Sequence, residues 1–384
     1  MSTAGHNAPS AWPELGSAAS AVLLELLLHG SRSRIRLAER VGLSRASLTR
    51  IARDLVDAGL VSEGATEASG FRGRPAESLH LRPGSAHFIG VKLTGDALYA
   101  VVTDLSATVL DTRTVDLASR DVDAVVALIA DVSKELLEGR TLPAAVGVCL
   151  AGDVQKRDDV AVVERSAFLG WSDSIPLPSL VEAATGIRTT VTNDVHALTA
   201  AHHWFGSGVG HDSLVVYGIG AGIGSGIVVE DELMEGANGR AGRIGHTRVP
   251  GTGKSCDNGH SDCVHSFVTM PAIEHNAGLP YAAAVEHARA GDERPLAAFE
   301  RAAFALGAVV ADSVNAFDPQ LVSIMGEGLD MLDFAPEIFR SALAEHLEQV
   351  DVSSVRIERP PFDFSLYARG AAVAAMRELL SQPL

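Results

Sequence analysis

The sequence predicts an α/β protein in two parts: a short helical head closed by a β-hairpin, and a larger domain built twice on one pattern. Three observations carry this. Capped segments with helical apolar spacing lie between Ser17 and Ala58. A strand-hairpin, a strand and a helix recur in two halves after His87. The charge is divided too: the chain carries −17, yet Ser31 to Arg82 holds ten arginines against six acidic residues, a surplus of four that leaves −21 elsewhere. A basic head on an acidic body lets one face approach phosphates while the rest repels them.

The 384 residues suffice for two or three domains, and 47% hydrophobic with 21% charged residues is ordinary for a globular protein. No apolar run approaches the roughly 20 residues of a membrane span, and residues 1–16 show no leader pattern. Three cysteines exclude a disulfide framework. A cytoplasmic protein without a membrane partner is the expectation.

Residues 1–16, with Pro9, Pro13, Gly5 and Gly16, read as a loose tail. The head spans 17–82, with helices over Ser17–Leu28, Ile35–Val41 and from Ser44 to Ala58. Ser44 is suited to cap the third helix, Leu48, Ile51, Leu55 and Ala58 face inward, and Gly59 ends it. Leu60-Val61 and Leu79–Leu81 pair around a loop containing Arg72-Gly73-Arg74-Pro75, which completes a winged helix-turn-helix.

The domain over 83–384 begins with a hairpin of Ile89–Leu93 and Tyr99–Asp104, then a strand at Val109–Leu117 and a helix over Asp121–Leu137. Strands at Ala145–Leu150 and Ile187–Thr192 precede a helix from Val195. The second half has strands Ser213–Tyr217 and Ile227–Val229 around a turn at Gly218–Gly226, a helix over Arg294–Ala316 and a strand at Leu321–Met325. A cleft between two lobes is the expectation.

The outward positions of the third helix are Ser44, Arg45, Ser47, Thr49 and Arg50. Such a helix enters a major groove N-terminus first, where arginine bonds guanine edges and hydroxyls reach bases or phosphates. Arg72 and Arg74 at the wing tip suit a narrow A·T-rich minor groove. The expected partner is double-stranded DNA with an inverted repeat and A·T-rich flanks, read by a dimer or tetramer.

The arrangement resembles the ROK family (repressor, open reading frame, kinase), in particular its regulators of the xylose-repressor and N-acetylglucosamine-repressor type. The residues that carry the resemblance are Gly73-Arg74-Pro75 with Leu79–Leu81, Ile89-Gly90-Val91, Val191–Asp194, Gly218–Ile227, Gly242–His246 and Cys256…Cys263-Val264-His265. It implies a duplicated actin-like, ribonuclease H-like sugar-kinase fold. It also implies that Asp194 stands at the position of the kinase base, and that Asn193, Asp194, Arg243, His246 and His265 line an effector site.

Departures from the family pattern bear on activity. ROK kinases open with Asp-x-Gly-x-Thr, whereas this chain reads Lys92-Leu93-Thr94-Gly95-Asp96. Phosphoryl transfer depends on positioning and charge stabilisation, so no kinase activity and no ATP are expected. Arg243, His265 and Ala167 replace acceptors of the family's sugar site, which implies either an anionic, sugar-derived effector or a site that no longer binds sugar. Of the family's zinc ligands, His246, Cys256 and Cys263 remain and Asn258 replaces a cysteine; His260 completes a Cys₂His₂ set for structural zinc, the alternative being a metal-free loop. The expected function is a transcriptional regulator, a repressor of sugar-related genes. The competing readings are an active sugar kinase with a DNA-binding head and a ligand-independent DNA-binding protein.

Overall fold

Two serines and two glycines set the limits of the head's helices in the computed structural model, which describes residues 12–65, 77–157, 160–251, 254–256 and 259–380. Helix α1 (Ser17–His29) is followed by β1 (Arg32–Ser33), α2 (Arg34–Val41) and α3 (Arg45–Asp57). The Ser33 hydroxyl accepts from the Arg36 N–H at 3.4 Å and that of Ser44 from the Ser47 N–H at 3.1 Å, satisfying amides that a first turn leaves open. Gly42 ends α2 in the left-handed region at φ 69°, where a side chain would be strained. Strands β2 (Val61–Ala65) and β3 (Glu77–Leu81) pair antiparallel, and β1 adds to the far side of β3. Leu23, Leu26, Leu37, Leu48, Ile51, Leu55 and Leu79 form the head's core.

Three expectations need correction. Ala58 is exposed, and Ala52 takes the inward place because it shares a face with Leu48 and Leu55. Strand β1 was not anticipated, since two residues carry no periodicity. Trp12 and Leu15 are packed rather than loose: Trp12 is buried with its ring centroid 5.9 Å from that of Phe88, edge to face. Arg72 and Arg74 lie outside the described residues.

The chain forms two compact units, one of residues 1–209 with 367–384 and one of Gly210–Leu366. Beyond the head, the first unit has β4 (His87–Leu93), β5 (Ala97–Asp104), β6 (Val109–Asp116), α4 (Val122–Leu136), β7 (Ala145–Leu150), β8 (Asp153–Arg157), β9 (Val160–Arg165), α5 (Leu177–Thr185), β10 (Thr189–Asn193) and α6 (Asp194–Phe205). Its main sheet runs β10-β7-β4-β5-β6, parallel on the β7 side of β4 and antiparallel on the β5 side.

The second unit has β11 (Leu214–Ile219), β12 (Ile223–Val229), β13 (Glu232–Leu233), α7 (His265–Val268), α8 (Met270–Ala277), α9 (Tyr281–Ala290), α10 (Glu293–Phe317), β14 (Leu321–Met325), α11 (Met331–Phe334), α12 (Pro336–His346) and β15 (Ile357–Glu358). Its sheet, β13-β12-β11-β14-β15, repeats the first strand for strand: the opening strand pairs antiparallel with the second and parallel with the fourth. The expected long turn at Gly218–Gly226 shrinks to the few residues between Ile219 and Ile223, because both strands extend through their glycines. No helix among the described residues is long and apolar enough to cross a membrane.

Helix α13 (Ser365–Leu380) brings the chain back to the first unit and seats on its sheet at two glycines. A Cβ on Gly90 would lie 1.8 Å from the Ala368 carbonyl oxygen, and one on Gly147 1.8 Å from that of Ala371. Neither backbone can give way without displacing the helix. Gly147→Ala is therefore expected to lower stability by about 1–3 kcal/mol or more through overpacking, read from the denaturant midpoint. An unchanged midpoint would mean that α13 does not sit on this strand.

Candidate functional site

The arginines of the head fall into two sets. Those before α3 serve the head itself: Arg32 and Arg40 both reach Glu25, at 2.9 and 2.7 Å, Arg36 pairs with Glu39 at 3.3 Å, and Arg34 pairs with Glu63. On α3, Arg45, Arg50 and Arg53 are exposed, and none forms an ion pair with a described residue. Thr49 shares this face, with its hydroxyl donating to the Arg45 carbonyl at 2.8 Å. Ser44 and Ser47 are engaged with each other, their hydroxyls 2.9 Å apart at the helix start. Arg53 was absent from the expected set, although its spacing of four from Thr49 and eight from Arg45 places it on the same face.

In the first unit, the expected site residues turn out to be tied to one another. Asp194 opens α6; one of its carboxylate oxygens accepts from the Val195 N–H at 3.0 Å and the other is bonded to the Lys92 ammonium. Both side chains are largely withdrawn from water, at 5% exposure for Lys92 and 13% for Asp194. The Lys92 ammonium also lies 4.8 Å from the Tyr367 ring centroid, a cation–π contact. Asn193 caps α6: its carbonyl oxygen accepts from the Val195 and His196 amides at 2.9 and 3.4 Å, and its amide donates to the Gly152 carbonyl at 3.2 Å. Cys149 lies nearby on β7, donating to the Tyr367 carbonyl at 3.3 Å. Burial pushes its thiol up to about 12, so it is no nucleophile.

Asp96 stands exposed on the turn between β4 and β5, where it accepts from the Thr94 hydroxyl at 2.7 Å. Arg120 fastens the same turn by donating to the Gly95 carbonyl at 2.6 Å. The turn thus puts an acidic side chain toward solvent, and its nearest guanidinium is spent on backbone.

In the second unit, His246, Cys256 and His260 come together with their ligand atoms within 4.8 Å of one another. The Cys256 sulfur is 3.7 Å from Nδ1 of each histidine. Cys263 is outside this triplet, but its thiol neighbours that of Cys256. Burial, opposed by a hydrogen bond from the Ser266 backbone and reinforced by Cys256, holds Cys263 above its ordinary value. His265 stacks on His246 with centroids 5.7 Å apart. Burial and the neighbouring His260 and His265 lower the His246 pKa, which favours the neutral imidazole that ligates metals. Two imidazoles and a thiol at this separation are a donor set that suits zinc. Asn258 lies outside the described residues. Arg243 is exposed, so its guanidinium keeps access to water.

Residues 88–378 match the ROK family model. The chain belongs to the ROK family. It is 24% identical over 354 residues to the DNA-binding transcriptional repressor Mlc of Escherichia coli K12, covering 85% of this chain and 86% of Mlc. The crystal structure of a ROK family transcriptional regulator, described as a homolog of E. coli Mlc, superposes with a TM-score of 0.81 at 23% identity and covers 95% of this chain and 96% of that one. The ROK glucokinase of Streptomyces griseus, solved with glucose and AMPPNP, gives a TM-score of 0.64 at 26% identity. It is covered completely yet matches only 76% of this chain. The ROK match begins at residue 88, just past the head, and it is relatives called regulators that extend across the head.

The Lys92–Asp194 pair generates a test within this ROK lobe. Asp194→Ala leaves a buried ammonium without its anion and should cost about 3–5 kcal/mol of stability, whereas Lys92→Met with Asp194→Leu should retain most of it. Chemical denaturation of the single and double variants decides; equal losses would show that packing rather than charge pairing holds the site.

Proposed function

We propose that the chain is a sequence-specific transcriptional regulator, a repressor of sugar-related genes, whose kinase-like domain binds a sugar-derived effector without transferring phosphate. The observation that carries this is the exposed face of α3, where Arg45, Arg50 and Arg53 are free of described ionic partners while Arg32, Arg34, Arg36 and Arg40 each face a carboxylate of the head. Charge left open on one helical face of an acidic protein is what a phosphate backbone and guanine edges require. The names of the relatives that span the head agree with this reading.

Loss of kinase chemistry follows from Lys92. A general base must have its lone pair available to the hydroxyl it activates, and Asp194 is held by an ammonium. The same ammonium places positive charge where the family's kinases carry a metal-positioning carboxylate. Arg72 and Arg74 are assigned to the wing that contacts A·T-rich flanks, a symmetric dimer or tetramer to the inverted repeat, and the cytoplasm to the location. Arg243, His246 and His265 belong to the effector lobe.

Arg45→Ala is expected to cost about 1–3 kcal/mol of discrimination at one base position. Arg53→Ala should weaken binding to all sequences alike and lower the salt slope by about one. Fluorescence anisotropy with operator, half-site and scrambled duplexes at several salt concentrations measures both. Wild-type affinity in the two variants, or equal affinity for a half-site and an inverted repeat, would reject the docking.

A structural zinc would be held by His246, Cys256 and His260 with Cys263 as fourth ligand, tying the loop before α7 to its own backbone. Elemental analysis should find about one zinc per chain, as a closed four-ligand site holds one ion. Cys256→Ser should lose it and melt at lower temperature. Purified protein free of zinc, with a melting temperature that zinc leaves unchanged, would discard the site.

A further inference from the structure

Strand β6 lies at one side of the first unit's sheet and pairs only with β5, so its other edge is open among the described residues. The Leu117 N–H donates to the Asp96 carbonyl at 2.7 Å, on the β5 side. Counting back at the two-residue period of a strand, Thr112, Thr114 and Asp116 aim their N–H and C=O groups outward. An open edge of this kind is a template for another strand. At Thr112 it is shut. The Asp111 carboxylate accepts from the Thr112 N–H at 2.8 Å, and Nη1 of Arg113 donates both to the Thr112 carbonyl and to the same Asp111 oxygen, each at 2.8 Å. Two flanking side chains thus take the two backbone groups that an incoming strand would need. Both are steadied from the side of α4, with Arg140 3.9 Å from the Asp111 carboxylate and Glu135 3.8 Å from the Arg113 guanidinium.

The strand that fits this edge is β6 of a second copy. Laid antiparallel about a two-fold axis at Thr112, Asp111 of each copy stands opposite Arg113 of the other, and opposite charges facing across strands are favourable. Any other strand would cost Asp111 and Arg113 their ion pair, whereas a second copy returns it. Within one chain the same contacts form without the loss of freedom that association entails, which keeps the edge closed. We infer that Asp111 and Arg113 guard the edge of β6, shutting a self-complementary strand surface whose partner is a second copy of this chain. No residue of the head takes part, so this stands apart from the DNA-binding reading.

Asp111→Thr with Arg113→Thr removes the guard and keeps a strand-forming sequence. By light scattering over a range of concentrations, the mass of this variant should rise to at least about twice that of the unmodified chain, as two-fold pairing requires. Adding Thr114→Pro deletes an outward N–H but no bond to β5. It should return the mass to that of the unmodified chain, with circular dichroism showing all three proteins folded. An unchanged mass without the guard, or association that Thr114→Pro leaves in place, would overturn the proposal. Should the variant without the guard not fold, native-state hydrogen exchange on the unmodified chain decides. Its Thr112 amide should exchange at least about tenfold more slowly than that of Thr114, because a bond to a carboxylate must open first. Equal rates at the two amides would reject the guard.

Discussion

Lys92 lies on β4, a central strand, with its ammonium almost wholly withdrawn from water. A charge in that position is tolerated only beside an anion, because desolvation costs several kcal/mol per ion and is offset only by close pairing. Asp194 supplies the anion from the first residue of α6, where the helix dipole and the Val195 amide already favour a carboxylate. The pair therefore does two things. It joins the sheet to the helix that follows β10, and it occupies one oxygen of the Asp194 carboxylate. One lysine on a central strand thus fixes the carboxylate at the start of α6 in an ion pair.

The lobe around this pair depends on close approach as well as charge. Gly90 and Gly147 let α13 lie directly on the strands, so a helix from the end of the chain closes the sheet built near its beginning. Trp204 of α6 and Met376 of α13 belong to the same apolar cluster as Trp12, Leu23, Leu48 and Phe88. The head is accordingly continuous with the first lobe through packed side chains, not merely linked to it in sequence.

Local chemistry was legible in the sequence and distant juxtaposition was not. The cap at Ser44, the glycine ends, the hairpins and the long α10 follow from short-range preferences, and the structure has them within a few residues of the expected limits. The arginine face of α3 was readable apart from Arg53, which periodicity alone would have included. The pairing of Lys92 with Asp194 crosses 102 residues, and no local signal announces it; the lysine was readable as a departure, not as a partner. Tyr367, whose ring faces that lysine, comes from α13, and nothing near its own position points to β4. Trp12 was misjudged because its prolines and glycines suggest a tail, while the large apolar surface that requires burial is a single residue.

The proposed DNA binding has to be reconciled with a net charge of −17, and the ion pairs bear on it. A guanidinium that already faces a carboxylate gains little from a phosphate, since the second contact must replace the first. Glu25 bonds both Arg32 and Arg40, which leaves one positive charge, and Glu63 and Glu39 pair with Arg34 and Arg36, so part of the basic surplus of the head is offset locally. Arg45, Arg50 and Arg53 of α3, which carries Thr49 on the same side, have no such partner among the described residues. Outside the segment from Ser31 to Arg82 the chain carries a net charge of −21, which repels a polyanion in general. On the proposed reading, the exposed arginines of α3 offset that repulsion where the helix meets phosphate.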